Sequence, residues 1–451
     1  MLKYIFFLFS VLVSTSMVAK TGKVLVTGTV KNHSATSISI TTINNREVVT
    51  TQLDDRGTFT LTTSIEEGYY FLAYGRTTAP IFLYPKDNLT VYVDANNFET
   101  TLNFKGQGAE RNNYLVQKSI VEKEMTKDLA SFYKPEEQEY LKNITTLQNT
   151  HQELLQQYDV ESFFKKAEVK SLAYQRLFNI NNYESNYSFY LGEEISPSEE
   201  FYKPIRDLKL DNVADYNKFR FYQYIVDSVW NERIEEAPNV DAMLAVIREV
   251  TFEELAISLV NGFYSKISSK NSERAKDYLD LIKRVTTYQP FIDAAEERYN
   301  EITNSKKLIK GSISPLFAYE NTNGDLIKLS DFKGNYVYID VWATWCAPCI
   351  KQIPYIKKLE TRYHDKNIVF VSISVDKKEI KDTWKQFIHD KDLDGIQLFA
   401  DNSFESEFMN AYAVNSIPRF ILIDPEGKII DPEAPRPSFE KTKTILDGLL
   451  E

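Results

Sequence analysis

VWATWCAPCIKQIP, residues 341–354, holds both cysteines of the chain, Cys346 and Cys349, two positions apart. A bridge closing so small a loop adds only roughly 2 kcal/mol by chain-entropy reasoning, and short loops add strain. The pair therefore reads as chemistry rather than as a staple.

The stretch before it, YVYIDVW, Tyr336–Trp342, is apolar at nearly every position, as a central strand buried on both faces should be. Cys346 thus falls at a strand-to-helix junction, where backbone N–H groups and the helix dipole favour an anion. The first thiol of a Cys-x-x-Cys pair so placed ionises between about 3.5 and 7.5, against about 8.5 for a free thiol. The thiolate is the nucleophile of disulfide exchange. Cys346 is expected to attack a partner's disulfide, and Cys349, one helical turn on, to resolve the mixed disulfide. Ala347 and Pro348 between them stiffen the turn and tune the redox poise.

Further along, strands and helices alternate: IVFVSISV at 368–375, a helix around Trp384 and Phe387, IQLFA, a helix over 404–412, then RFILI and a final helix. Such alternation predicts an α/β layer with a parallel component over residues 311–451. Upstream, residues 20–106 read as β. VLVTGTV, SISITTI, GTFTLTT, YYFLAYG and LTVYVDA are separated by turn formers, which suggests a small antiparallel sandwich. Residues 107–310 read as all-α, with stripes such as Val121, Met125, Leu129 and Phe132 at helical spacing. His151 lies on one such stripe and is expected to be a hydrogen-bonded packing residue, since no second ligand sits one turn away.

The 451 residues are 43% hydrophobic, enough for real cores, with a net charge of −11. An acidic surface repels phosphate backbones, so nucleic acid is not an expected partner. Residues 1–20, MLKYIFFLFSVLVSTSMVAK, carry Lys3, a short apolar run and small polar residues. That pattern predicts a secretory signal over residues 1–19, with an uncleaved anchor as the competing reading.

WATWCAPC after a buried strand resembles the active site of the thioredoxin superfamily. IKLSDFKGNYVYIDVW, residues 327–342, narrows the resemblance to exported thiol-disulfide oxidoreductases of the TlpA/ResA type, over about the last third of the chain. The resemblance implies a thioredoxin fold and no cofactor. It implies a substrate-facing Trp345, and an Ile417-Pro418 element with a cis bond that lets the Ile417 backbone pair with an extended substrate. It also implies that Pro354 kinks the active-site helix. Asp340, six residues before Cys346, matches a buried acid. It is the one carboxyl group of its strand, and burial should raise its pKa so that it relays a proton to Cys349. Some relatives carry a carboxylate three residues after the second cysteine; here Gln352 stands there and cannot exchange protons.

The combined reading is an exported enzyme of the periplasm or cell envelope that reduces disulfides of exported proteins and draws electrons from a membrane donor. Three rivals compete with it. A zinc site lacks ligands, because only His33, His151, His364 and His389 accompany the two cysteines. A peroxiredoxin calls for Thr or Ser where Ala343 stands. An envelope binding module with an idle thioredoxin-like part has no use for the whole set of motif residues.

Overall fold

The computed structural model describes residues 21–268, 273–304, 308, 310–393 and 395–450. The signal expected over residues 1–19 lies outside the described residues. The protein has a sheet-rich N-terminal region, a central helical region and a C-terminal thioredoxin-like domain. Among the described residues the chain packs as two compact units, residues 21–186 with 196–233, and residues 187–195 with 234–450.

In the first unit, period-2 alternation builds two four-stranded sheets. Gly22–Lys31 turns Val24, Val26 and Val30 to the inside, and its neighbours Thr58–Ile65 and Asn88–Asp94 do the same with Leu61 and Val91. Ile38, Ile40, Leu72 and Ile81 of the second sheet join the same apolar cluster. The sandwich is not wholly antiparallel: Gly22–Lys31 pairs in parallel with Asn88–Asp94, with Val26 level with Leu89. This corrects the expectation above. The two strands are separated in sequence by the entire second sheet, so no tight hairpin dictates their direction, and alternation looks the same either way.

The helix Ala109–Met125 closes both sheets with two consecutive asparagines. Asn112 accepts from the Phe82 N–H at 2.8 Å and donates to the Phe82 carbonyl at 3.1 Å. Asn113 does the same to Phe104, at 2.8 and 2.9 Å. Phe82 and Phe104 lie on edge strands, so the amides occupy backbone groups that would otherwise invite another strand. Beside them Arg111 is fully buried and pairs with Asp87 and Glu161. His151 is buried as expected, but neither ring nitrogen has a hydrogen-bond partner among the described residues. Burial, with the Lys118 charge second, pushes its pKa down to about 3, so it is a neutral packing group and not a hydrogen-bonded one.

The second unit carries the helices Val240–Arg248, Glu253–Lys266, Ala275–Val285 and Gln289–Asn304, then the thioredoxin-like sheet. Its strand order is Leu326–Lys328, Ala318–Asn321, Ile396–Phe399, Ile368–Ser374, Tyr336–Trp342, Arg419–Ile423, Ile429–Asp431. Tyr336–Trp342 is central, parallel to Ile368–Ser374 and antiparallel to Arg419–Ile423. Its odd residues Val337, Ile339 and Val341 enter one apolar layer with Trp384 and Phe408. Tyr338 enters the other, beneath the helices Ile353–Arg362 and Glu440–Leu449. Burying each such side chain contributes about 1.5–3 kcal/mol, which is why a strand this apolar takes the middle of the sheet. Among the described residues no helix is long and apolar enough to cross a membrane.

Candidate active site

The central strand ends at Trp342, and the chain turns through Ala343, Thr344 and Trp345 into a four-residue helix, Ala347–Ile350. Cys346 is the residue just before that helix and is joined to Cys349 by a disulfide, with 5.2 Å between Cα atoms. The Cys349 N–H donates to the Cys346 sulfur at 3.2 Å. Both sulfurs belong to the apolar cluster on the sheet, with Cys346 4% and Cys349 2% exposed. Trp345, Ala347 and Pro348 form the exposed rim, and Trp345 presents 46% of its surface.

Two sequence expectations change here. The helix after the cysteines is interrupted at Lys351 and Gln352 and restarts as Ile353–Arg362. Pro354 therefore sits in the first turn of a second helix, where its missing N–H costs nothing, and does not kink a continuous one. A single turn also carries little macrodipole, so the local help for a Cys346 anion is the aimed Cys349 N–H rather than a long helix.

Ile417-Pro418 is a cis bond, immediately before the strand Arg419–Ile423. Register pairs Val341 with Arg419, so the next residue outward, Pro418, comes level with Trp342 at the start of the cysteine loop. Ile417 packs against the cluster that contains both cysteines. The structure thus brings Ile417-Pro418 to the same end of the sheet as the cysteine loop, from a segment about seventy residues away.

Asp340 is placed differently. It is buried, and its Oδ1 has no hydrogen-bond partner among the described residues. Burial, and then the charge of Glu360, push its pKa up to about 8. It lines a narrow cavity with Ile356, Lys357, Glu360, Ser372 and Gln397, beneath the helix Ile353–Arg362. Neither cysteine lines that cavity.

One site residue escapes a reading of the sequence. Asp376 is completely buried two residues past the strand Ile368–Ser374. Its carboxylate accepts from the Thr344 N–H and the Thr344 hydroxyl, each at 2.9 Å, and from the Ser374 hydroxyl at 2.8 Å. It pins the cysteine loop two residues before Cys346. The only signal is an Asp directly after an apolar strand, which reads equally well as a turn residue. Gln352 is also accounted for: its side-chain oxygen accepts from the Ser438 N–H at 3.1 Å, tying the helical segment after the cysteines to the loop before the last helix. No group of three or more His, Cys, Asp or Glu side chains suited to a metal occurs among the described residues.

A model of the Redoxin family matches residues 309–449. A thiol-disulfide oxidoreductase ResA of Bacillus cereus is 30% identical over 148 residues, which is 33% of this chain and 80% of the relative. ResA of Bacillus subtilis (strain 168) is 32% identical over 135 residues, 29% of this chain and 72% of the relative. Among solved structures, the thioredoxin domain of a thiol-disulfide oxidoreductase from Bacteroides vulgatus is 27% identical. That match covers 32% of this chain and 100% of the other, with a TM-score of 0.29.

Proposed function

This chain belongs, through its C-terminal third, to the ResA-like thiol-disulfide oxidoreductases of the thioredoxin superfamily, and on that premise we propose that it reduces disulfides of exported proteins through the Cys346–Cys349 pair. The observation that carries this reading is the bonded pair itself, at the end of the central strand, with the Cys349 N–H on the Cys346 sulfur and Pro418 level with the loop.

In the reduced enzyme the Cys346 thiolate attacks one sulfur of the partner's disulfide. A mixed disulfide forms, and the partner's other sulfur leaves as a thiolate. Cys349, losing its proton, then attacks the Cys346 sulfur; the enzyme disulfide closes and the partner leaves with two thiols. Two electrons have passed to the partner, whose two departing thiolates take up protons from solvent, and a membrane dithiol donor restores the enzyme. Trp345 and the Ile417-Pro418 segment border the sulfurs and hold the partner's chain, while Ala347 and Pro348 set the poise of the couple. Asp340 takes the Cys349 proton. A pKa near 8 lets it exchange a proton at neutral pH, and since no cysteine lines its cavity the relay calls for an intervening carrier such as water.

Residues 1–19 are read as the export signal, residues 20–106 and 107–310 as modules that carry or aim the redox domain, and residues 311–451 as that domain. The acidic charge argues against nucleic acid as a partner.

The test is turnover of insulin disulfides by the full chain with a dithiol donor. Loss of turnover in Cys346→Ser is expected; a wild-type protein without turnover sinks the proposal. A reduction potential near thioredoxin's, about −270 mV, supports a reductase, and one near about −120 mV an oxidant.

A further inference from the structure

We propose that the helical part of the second unit reads the substrate, through Arg298, which binds a side-chain carboxylate close to the disulfide being reduced. The inference rests on the redox reading above and names a substrate class for that site.

Ser265, Ser268 and Arg298, from the helices Glu253–Lys266 and Gln289–Asn304 and the turn between helices, line one cleft with Ser416, Pro418 and Arg419. The cleft encloses about 750 Å³ with its open mouth included, room for a short peptide segment rather than a single water. Pro418 is one of its walls, so a substrate chain lying along Pro418 borders the cleft. The walls are mostly polar and include the Glu433 carboxylate that Arg419 neutralises, so an apolar side chain gains little there.

The two cations of the cleft are not equivalent. Arg419 is committed: it pairs with Glu433, and its Nη2 donates to the Tyr412 carbonyl at 3.4 Å. Arg298 is oriented but has charge to spare. Its Nε donates to the Ile267 carbonyl at 2.6 Å and its guanidinium lies over the Tyr264 ring, 5.0 Å from the centroid. No carboxylate pairs with it among the described residues. A guanidinium held by backbone and ring loses little freedom on binding, and its remaining fork of donors matches a carboxylate. The chain's net charge of −11 opposes acidic partners at long range, but that field is screened beyond about 8 Å at physiological ionic strength. Discrimination therefore falls to the contact itself.

The test uses the full chain, a dithiol donor and three C-terminally amidated disulfide peptides that differ only in Glu, Gln or Lys two residues from a cysteine. The expected kcat/KM order is Glu, then Gln, then Lys, with about tenfold between the extremes, the size of one charge-assisted hydrogen bond. Arg298→Gln brings the three within about twofold of one another, and Arg298→Lys restores part of the preference. Equal kcat/KM for all three in the wild type, or an unchanged preference in Arg298→Gln, overturns the assignment while leaving the redox reading intact. No turnover of any disulfide, insulin included, overturns both.

Discussion

Asp376 holds Thr344 by two hydrogen bonds of 2.9 Å, one to the backbone N–H and one to the hydroxyl, across 32 residues of sequence. The cysteine loop is therefore fastened to the neighbouring strand, not merely to its own. Asp376→Ala strands the Thr344 N–H and the Ser374 hydroxyl and should cost about 1–3 kcal/mol. Asp376→Asn, whose amide oxygen still accepts from the N–H, should cost less. Thermal melts of the two variants read the difference. In the reduced protein, alkylation of Cys346 should slow in the alanine variant more than in the asparagine one, the opposite of the faster alkylation that lost stability alone gives a buried thiol.

Asp340 makes a pH-dependent prediction with a definite sign. Its folded pKa, about 8, lies above its unfolded value of about 3.9, so the native state binds the extra proton between those pH values. Stability is therefore present below about pH 4 and lost as pH rises toward 8. Asp340→Asn removes this loss. Its stabilisation over wild type should be near zero at pH 4 and grow to on the order of a few kcal/mol at pH 8, measured by denaturant unfolding. The same variant should slow resolution of the mixed disulfide and spare the first attack; equal rates in both steps would refute the relay.

The two cysteines should separate by substitution. On the proposed order of attack, Cys349→Ser keeps the attacking sulfur and loses the resolving one, so it should accumulate a covalent complex with a disulfide partner, visible by non-reducing electrophoresis. Cys346→Ser should form none. A complex trapped equally by both variants would contradict the assigned order of attack.

In the first unit, Arg111 lies fully buried between Asp87 and Glu161. Burial already raises the Asp87 pKa, with Arg111 opposing it. Arg111→Met leaves the Asp87 carboxylate buried without its cation and should cost about 3–5 kcal/mol, read by thermal or denaturant unfolding. Asp87→Asn combined with Arg111→Met should recover part of that loss.

How much of this is legible along the chain follows from the range of the interactions. The alternation of Gly22–Lys31, the apolar run of Tyr336–Trp342 and the Cys346–Cys349 spacing are properties of near neighbours. The sheet-rich, helical and α/β regions and the closeness of the two cysteines can accordingly be read from the sequence. The break at Lys351 and Gln352 is also local, yet resemblance draws a continuous helix through Pro354 and hides it.

The chain's own order of residues determined which segments become strands and helices, because those choices rest on backbone geometry and side-chain periodicity over a few positions. Folding back in space decided the rest: the parallel pairing of Val26 with Leu89, the asparagine clasps on Phe82 and Phe104, the Asp376 anchor on Thr344, and the approach of Arg298 to Pro418. Most of those contacts join residues tens to more than a hundred positions apart. Nothing in local periodicity encodes which distant groups will meet once the apolar faces are buried.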